Sequence, residues 1–480
     1  GKTIGLDGKL TSTTFVNMLT KQGNNVVSID LASGIMEDRA PLSKDMLFSL
    51  DESYCGKSTK DKLKEVKYCL SGKTHILTNL ESIAYLLNLR GNDIANTPVF
   101  LSFMVFTKDD VYLFINKERL NEEILMRLYD DGIAVREYDE YYDFIKEIKN
   151  QIVLIDENKV NYETRRLLDK SNKVFNMTSV VEEMKAIKNP VEQENSRLAH
   201  IYDGVAMLRF MMWLKKADKT LLDECDVVEK LNAFRLGYKA FDLSFKPIVA
   251  YNANAAMMHY SPKKEKCAKL NNEGILLVDS GGQYFEGTTD ITRTFALGPV
   301  SDEVRKYFTI VLKSMFELSE ATFKKGMSGY QLDILARKEL WSLGIDYLCG
   351  TGHGVGHVLA VHEAPPNIRY QKTVSASEQQ PLVPGNITSD EPGVYFEGKY
   401  GIRCENMLLV KKAFENEYGE FFKFETLTMC PFDLDLIDMN YLDEKNRNIL
   451  NTYHAQVRET LRPYLNEEEK DWLKEYTRAI

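Results

Sequence analysis

The sequence lacks the marks of a membrane-spanning or disulfide-stabilised protein. No apolar run approaches the ~20 residues that a helix needs to cross a bilayer. The seven cysteines are scattered and odd in number, without a Cys-x-x-Cys pair, a pattern typical of free thiols in a reducing compartment. The chain opens at Gly1 without a signal-type apolar segment. We therefore expect a cytoplasmic protein without membrane contact, with an upstream targeting segment as the open alternative.

An excess of basic residues, internal repeats and low-complexity tracts are also missing. The 61 Lys and Arg residues stand against 71 Asp and Glu, a net charge of −10, which argues against a nucleic-acid partner. No period typical of a solenoid occurs. The 480 residues, 44% of them hydrophobic, are enough for a globular protein of two or three domains.

The first part of the chain has the pattern of a mixed α/β domain. Asn79 before LESIAYLLNL predicts a capped helix that ends at Arg90–Gly91. Two β-rich runs on either side of Lys108–Asp110 predict a hairpin, and Gln151–Ile155 predicts a further strand. This part contains no catalytic constellation, so we expect a non-catalytic accessory domain over residues 1–178.

A second domain is predicted from residue 179 to residue 480. Asn189-Pro190-Val191-Glu192 offers an N-cap, a proline at the first helical position and a glutamate at the third, so a helix should begin there. Helical spacing recurs from Val304 to Phe323, and the charged segment from Asp443 to Thr477 is also expected to be helical.

The stretch LLVDSGGQYFEGTTDITR, Leu276 to Arg293, predicts an antiparallel hairpin with two aspartates. With the turn near Tyr284–Phe285, Asp279 and Asp290 would lie opposite each other on one face. Two facing carboxylates repel unless a cation lies between them or one holds a proton. The alternative is a pair of exposed turn aspartates.

Four of the seven histidines stand at 259, 353, 357 and 362, and His353 and His357 lie in the glycine-rich segment GTGHGVGH. The spacing of His353 and His357 imitates the two histidines of a zincin helix. Glycines at 352, 354 and 356 disfavour that helix, and Gly354 occupies the place of the zincin's catalytic glutamate. We therefore expect His353 in a loop.

Two glutamates complete a candidate metal site. Glu391 lies in SDEPG and Glu405 in GIRCEN; alone, each could be a turn residue or an ion-pair partner of Arg403. Two Asp, two Glu and one His together would neutralise and bind two divalent cations. Oxygen-rich ligation with one imidazole favours Mn²⁺, with Co²⁺ or Zn²⁺ as alternatives. Two such ions ~3.5–4 Å apart can deprotonate a bridging water and polarise a carbonyl.

Three segments closely resemble the signatures of the Xaa-Pro aminopeptidase (aminopeptidase P) family in its cytosolic eukaryotic form: VDSGGQYFEGTTDITRTF, GTGHGVGHVLAVHEAPP and SDEPGVYFEGKYGIRCEN. The resemblance covers residues 179–480 and, more weakly, YLLNLRGNDIANTPVF in the first part. It implies an α/β accessory domain of the creatinase N-terminal type. It also implies an α+β pita-bread catalytic domain, in which helices back a curved antiparallel sheet.

The same resemblance assigns roles to individual residues. Its metal ligands would be Asp279, Asp290, His353, Glu391 and Glu405. The aspartate at 290 and the glutamate at 405 would bridge both ions. Its substrate-binding residues would be His259, His353, His362, Tyr395 and Arg403, with the last two at the rim of the site or behind the ligands.

The implied reaction releases the N-terminal residue from a peptide whose second residue is proline. A hydroxide bridging two divalent metals would attack the scissile carbonyl. Glu391 would take the proton from the bridging water, while His259 and His362 would orient the carbonyl. The family is commonly homodimeric and usually carries a further α/β domain upstream, so that domain is expected to be missing or on a separated piece. His357, Ala253 and Ala255 depart from the usual pattern.

Two alternatives of different kinds stay open. One is another enzyme of the same fold, a proline dipeptidase or a methionine aminopeptidase. The long accessory domain disfavours a methionine aminopeptidase. The sequence around His353 and the short interval between Glu391 and Glu405 disfavour a proline dipeptidase. The other alternative is a metal-free binding module that has kept only the fold.

Overall fold

The computed structural model describes residues 1–30, 33, 35, 41–371 and 380–480. The chain divides into two compact units, Gly1–Lys185 and Ala186–Ile480. The boundary predicted after residue 178 lies shortly before this division. Among the described residues, no helix combines the length and the apolar character needed to cross a membrane.

The first unit is built on a mixed sheet with strand order β10-β9-β4-β6-β7-β8. The strands of this unit are β1 (Thr3–Leu6), β2 (Asn25–Ser28), β3 (Phe48–Ser49), β4 (Thr74–Leu77), β5 (Leu89–Arg90), β6 (Phe103–Phe106), β7 (Val111–Phe114), β8 (Ile133–Arg136), β9 (Ile152–Ile155) and β10 (Lys173–Asn176). The helices are α1 (Thr13–Lys21), α2 (Glu52–Cys55), α3 (Thr59–Leu70), α4 (Leu80–Leu87), α5 (Glu122–Asp130), α6 (Tyr141–Glu147), α7 (Tyr162–Leu167) and α8 (Val180–Ala186).

Most local predictions for this unit are confirmed. β6 and β7 pair as the expected hairpin, and β9 occupies the predicted strand. The predicted end of α4 at Arg90 is wrong, because Asn88 adopts a left-handed conformation, with φ of 49°, and ends the helix. Leu89 and Arg90 then pair with β3 instead of continuing the helix.

The second unit alternates long helices with antiparallel strands. Its strands are β11 (Asp242–Leu243), β12 (Ile248–Tyr251), β13 (Ile275–Ser280), β14 (Gly282–Tyr284), β15 (Gly287–Thr288), β16 (Ile291–Ala296), β17 (Thr322–Lys324), β18 (Gly352–Gly354), β19 (Glu363–Ile368), β20 (Ile387–Asp390), β21 (Gly393–Phe396), β22 (Tyr400–Arg403), β23 (Asn406–Asn416) and β24 (Gly419–Thr426). Its helices are α9 (Pro190–Lys216), α10 (Glu224–Leu236), α11 (Asp302–Ser319), α12 (Gly329–Trp341), α13 (Glu444–Leu461) and α14 (Glu467–Tyr476).

Two antiparallel sheets of this unit are each packed against a pair of helices. The sheet β12-β13-β16 shares an apolar core with α9 and α10. The sheet β17-β24-β23-β20-β18-β19 shares another with α11 and α12. Because each sheet buries one face against helices, the opposite faces and strand ends are left to build a site.

The helix predictions for this unit are confirmed except at one end. Asn189 and Glu192 form the predicted capping box at the start of α9, and α13 and α14 fill the charged C-terminal segment. The predicted end of α11 at Phe323 is wrong. The chain leaves the helix after Ser319, because Phe323 lies in β17, which pairs with β24.

His75 makes the stability of the first unit depend on pH. It is the only histidine of that unit, and its Nδ1 and Nε2 lie 3.1 Å from the Leu154 carbonyl and 3.0 Å from the Ser179 hydroxyl. Burial lowers the pKa of His75 from 6.5 to about 4, and the hydrogen bond to Leu154 opposes the shift only in part. Between these pH values the unfolded chain binds a proton that the folded chain does not bind, so stability falls as pH falls.

We expect the first unit to lose about 2 kcal/mol of unfolding free energy between pH 7 and pH 5 through His75. Urea unfolding followed by far-UV circular dichroism measures the loss. All three tryptophans lie in the second unit, so tryptophan fluorescence reports that unit separately. In His75→Gln the pH-dependent loss should be largely absent. An equal loss in both proteins would contradict the assignment.

Candidate metal centre

Strands from both sheets of the second unit bring the five predicted ligands to one region. Asp279 lies in β13, and Asp290 directly precedes β16. His353 lies in β18, Glu391 directly follows β20, and Glu405 lies between β22 and β23. Rigid strands and their ends therefore carry all five side chains, which favours a fixed geometry.

The hairpin that carries the two aspartates differs from its prediction. β13 and β16 do pair, but Asp279 lies opposite Thr292 and not opposite Asp290. The residues between them form a hairpin of their own, β14 with β15. Gly281 makes this possible, because a Cβ there would lie 2.0 Å from the Thr289 carbonyl oxygen.

His353 lies in a short strand, so the predicted loop is wrong. The surrounding glycines serve strand packing: a Cβ on Gly352 would lie 2.0 Å from the carbonyl oxygen of Ser389 in β20. The ring Nδ1 lies 2.9 Å from the Gly354 carbonyl oxygen, and the ring therefore donates there. Its Nε2 is left 3.5 Å from Asp290 and 3.3 Å from Glu391. A metal-binding histidine is held in the same way, with one nitrogen donating and the other available.

Three of the carboxylates each keep one oxygen without a partner. Among the described residues, Oδ1 of Asp279, Oδ1 of Asp290 and Oε1 of Glu405 are buried and accept no hydrogen bond. The second oxygen of Glu405 accepts from the Thr292 hydroxyl at 2.8 Å. Ligand atoms of Asp290, His353 and Glu405 all lie within 4.8 Å of one another. Buried, unpaired carboxylate oxygens are costly, and divalent cations at this position would satisfy them, so the residues fit a metal centre.

The charges of this cluster shift its pKa values strongly. Burial raises the pKa of Asp290 to about 7, with contributions from Asp279 and Glu391, although His353 opposes the shift. Burial and the same neighbouring carboxylates raise the pKa of Glu405 well above its ordinary value. Protons and cations therefore compete for these oxygens.

Arg403 and Tyr395 lie behind the carboxylates. Arg403 is 3% exposed, and its guanidinium donates to Asp279 Oδ2 at 2.5 Å, to the Tyr395 hydroxyl at 2.8 Å and to the Thr292 hydroxyl at 3.0 Å. The guanidinium thus orients a ligand carboxylate and is already engaged with protein groups. Both residues also line the deeper part of the site.

The two remaining predicted histidines face a cleft. A cavity of about 420 Å³ and a deeper one of about 150 Å³ share His259, His353, His362 and Glu391 among their lining residues. The ring centroids of His353 and His362 lie 4.3 Å apart. Burial of part of the His362 ring and the charge of His353 lower its pKa to about 4. His362 is therefore a neutral hydrogen-bonding group at neutral pH. His357 lines neither cavity.

Several lining residues escaped the sequence analysis. Leu348, Arg369 and Tyr370 line the outer cavity, and Phe245 and Val361 line the deeper one. The guanidinium of Arg369 packs against Gly350, where a Cβ would lie 3.1 Å from the Arg369 Nη2. Among the described residues its Nε has no hydrogen-bond partner. Val361 lies inside the segment that carries His362, but no pattern in the sequence marks Arg369 as a residue of the site.

Comparison with family models divides the chain as the fold does. Residues 194–412 match the model of metallopeptidase family M24, and residues 420–480 match the C-terminal region of peptidase M24. Residues 38–192 match the creatinase/prolidase N-terminal domain.

Individual relatives agree with these models. The chain is 37% identical to a probable Xaa-Pro aminopeptidase P of Talaromyces marneffei, over 100% of this chain and 77% of that protein. The X-prolyl aminopeptidase of Caenorhabditis elegans, described as a cytosolic enzyme with a di-nuclear active site, superposes with a TM-score of 0.92 at 30% identity, over 100% of this chain and 81% of the other. A Xaa-Pro dipeptidase of Bacillus anthracis shares the fold, with a TM-score of 0.61 at 22% identity, over 78% of this chain and 98% of the other. The predicted architecture, an α/β accessory domain with a pita-bread catalytic domain, is confirmed.

We expect Asp290→Asn to lower metal affinity by more than about a hundredfold, because the substitution removes a ligand charge and not merely a group behind a ligand. Inductively coupled plasma mass spectrometry after dialysis measures bound metal. Asp471→Asn, at an exposed position on α14, is the matched control and should keep the metal content of the original protein. A full complement of metal in Asp290→Asn would contradict the assignment.

Proposed function

The chain belongs to metallopeptidase family M24, among its Xaa-Pro aminopeptidases, and we propose that its clustered carboxylates and His353 hold two divalent metal ions for hydrolysis of the peptide bond. The enzyme releases the N-terminal residue from peptides with proline in the second position. The proposal is carried by one observation: among the described residues, Asp290 and Glu405 have ligand atoms within 4.8 Å of His353, and each keeps a buried oxygen without a partner, as the nearby Asp279 does.

Five side chains would hold the ions. They are Asp279, Asp290, His353, Glu391 and Glu405. Divalent ions at such a site supply a Lewis acid for the scissile carbonyl and lower the pKa of water. The orientation of the ligands comes from the chain itself: Arg403 fixes Asp279, Thr292 fixes Glu405, and Ser389 donates to Glu391 at 3.0 Å.

Glu391 would accept the proton of the attacking water. Burial raises its pKa, but the hydrogen bond and charge of His353 and the charge of Arg403 outweigh burial and bring the pKa below 4.5. The side chain is therefore a carboxylate at neutral pH and lines both cavities. A base that faces the cleft and is ionised at working pH meets the requirements of general-base catalysis.

His259 and His362 would bind the substrate from the open side of the cleft. Both side chains are exposed and line both cavities. The neutral imidazole of His362 can donate one hydrogen bond to a peptide carbonyl and to the oxyanion that forms from it. Donors already aimed at the carbonyl lose little free energy to reorganisation during the reaction.

The deeper cavity would receive the proline ring. Phe245, Ile248 and Val361 give it an apolar wall. Proline offers an apolar ring with a fixed φ angle and no N–H group, and these three apolar side chains suit that ring.

Three finer points belong to the same proposal. Oxygen-rich ligation favours Mn²⁺ at the site, which metal analysis of the protein isolated without added metal can test. The cytoplasm is the proposed location, in keeping with seven scattered cysteines. A homodimer is the proposed assembly, and sedimentation at micromolar concentration should give twice the chain mass of 55.1 kDa.

We expect His362→Ala to keep its metal and to lose catalytic rate by about 10²–10⁴-fold, the range typical of a hydrogen-bonding or acid–base group. The matched measurements are metal content and kcat on one X-Pro-Y peptide. Loss of metal from this variant would mean that His362 is a ligand and that the proposed division of roles is wrong.

We expect X-Pro-Y tripeptides to exceed X-Pro dipeptides in kcat/KM by about tenfold or more, or ~1.4 kcal/mol of transition-state stabilisation. A dipeptidase must bind the terminal carboxylate with a positioned cation, and Arg403 is engaged by Asp279 and Tyr395. Arg369 is the other guanidinium in the cleft, so Arg369→Ala is assayed in parallel. Faster hydrolysis of the dipeptide, abolished in that variant, would make the protein a proline dipeptidase.

A further inference from the structure

The segment between β12 and β13, which carries His259, is fastened to the start of α10 by one buried carboxylate. Glu224 is 0% exposed. Its Oε1 accepts from the Tyr251 amide at 2.7 Å, and its Oε2 accepts both the Tyr260 hydroxyl at 2.7 Å and the Ala268 amide at 2.8 Å. Because Tyr260 directly follows His259, the placement of that histidine depends on this carboxylate.

Two cysteines meet at the same point. Asp223 and Lys269 form an isolated antiparallel bridge, and Cys225, in the first turn of α10, and Cys267 each lie two residues from it. The ligand atoms of Asp223, Cys225 and Cys267 all lie within 4.8 Å of one another, and both thiols are unbonded and partly exposed.

A metal ion is the weaker explanation for this cluster. Oδ1 of Asp223 accepts the Asp226 amide at 3.0 Å, which caps α10. Oδ2 of Asp223 accepts a hydrogen bond from the ammonium group of Lys269 at 2.9 Å. A cation would have to displace that ammonium group and would then find only two thiols, whereas structural zinc sites use four ligands.

We propose that Cys225 and Cys267 form a reversible disulfide, with a small-molecule disulfide such as glutathione disulfide as the oxidant, and that this bond controls the His259 segment. The Cys267 thiolate attacks one sulfur of glutathione disulfide, and a glutathione thiolate leaves. The Cys225 thiolate then attacks the Cys267 sulfur and releases the second glutathione. The protein loses two protons and two electrons, and the oxidant gains both as two thiols.

The order of attack follows from the surroundings of the two sulfurs. Burial and the adjacent Cys267 sulfur raise the pKa of Cys225 to about 12. Cys225 is therefore the slower nucleophile while Cys267 is reduced. The contribution from Cys267 ends when that sulfur enters a mixed disulfide, which lowers the pKa of Cys225 in part and favours its attack on the Cys267 sulfur, while the contribution of burial remains.

Bond formation would act on the active site through Glu224. The sulfurs must approach from within 4.8 Å to about 2.0 Å, which pulls on Ala268 next to Cys267. Ala268 and Tyr260 share Oε2 of Glu224, so the pull reaches His259. Displacement of a substrate-binding group by about 1 Å can cost up to ~10²-fold in rate, and we expect kcat/KM to fall about three- to thirtyfold on oxidation. The five metal ligands lie outside the segment, and metal content should not change.

The test uses the metal-loaded full chain in mixtures of glutathione and glutathione disulfide. After alkylation of residual thiols and proteolysis, mass spectrometry should find a Cys225–Cys267 linked peptide that dithiothreitol removes. The rate on an X-Pro-Y peptide should fall and recover with the same dependence on the glutathione ratio. The rate rests on the proposed function, whereas the linked peptide does not, so failure of one is distinguishable from failure of the other.

Cysteine variants supply the controls. Cys225→Ser and Cys267→Ser should keep their rates under oxidation, while Cys69→Ser, at an exposed cysteine of the first unit, should respond as the original protein does. Alkylation of both thiols under oxidising conditions, without a linked peptide, would overturn the disulfide. A linked peptide without a change in rate would overturn the control of His259. If the original protein holds one zinc ion per chain and Cys267→Ser loses that ion, the cluster is a metal site and not a disulfide.

Discussion

Repulsion among four clustered carboxylates is the constraint on which the second unit depends. Asp279, Asp290 and Glu405 are buried, and Glu391 faces the cleft beside them, so water screens their charges poorly. Arg403 supplies one fixed positive charge and is oriented by Tyr395 and Thr292. One guanidinium cannot balance four carboxylates, and the oxygens left bare define the place that cations must fill.

The two sheets hold these carboxylates close together despite their mutual repulsion. Of the five predicted ligands, Asp279 and His353 lie in paired strands, and the amides of Glu391 and Glu405 donate to the carbonyls of Thr351 and Thr292. Glycines at 281 and 352 permit the close backbone approaches that bring the strands together. Two helix pairs, one behind each sheet, hold the opposite faces in dry cores. Rigidity at the site therefore comes from packing remote from it.

The sequence predicted the parts of this arrangement that depend on local chemistry. The apolar run before Asp279, the cap at Asn189 and the helical C-terminal segment all carry their signals within a few residues. The pairing of Asp279 with Thr292 was missed because an inner hairpin changes the register, and register depends on the whole loop. The strand at His353 was missed because isolated glycines disfavour strands, and only pairing with β19 and β20 creates it. The ligand set came from resemblance, and the Arg369 side chain in the cleft emerged only from the fold.

The order of the ligands along the chain sets when an ion can be captured. Asp279 is made first and Glu405 last, and β23, which follows Glu405, pairs with β24 as far as Thr426. During synthesis the first unit can fold while these residues are still absent, but the proposed ion-binding pocket cannot form before β24 has been made. A shorter nascent chain therefore lacks part of the pocket.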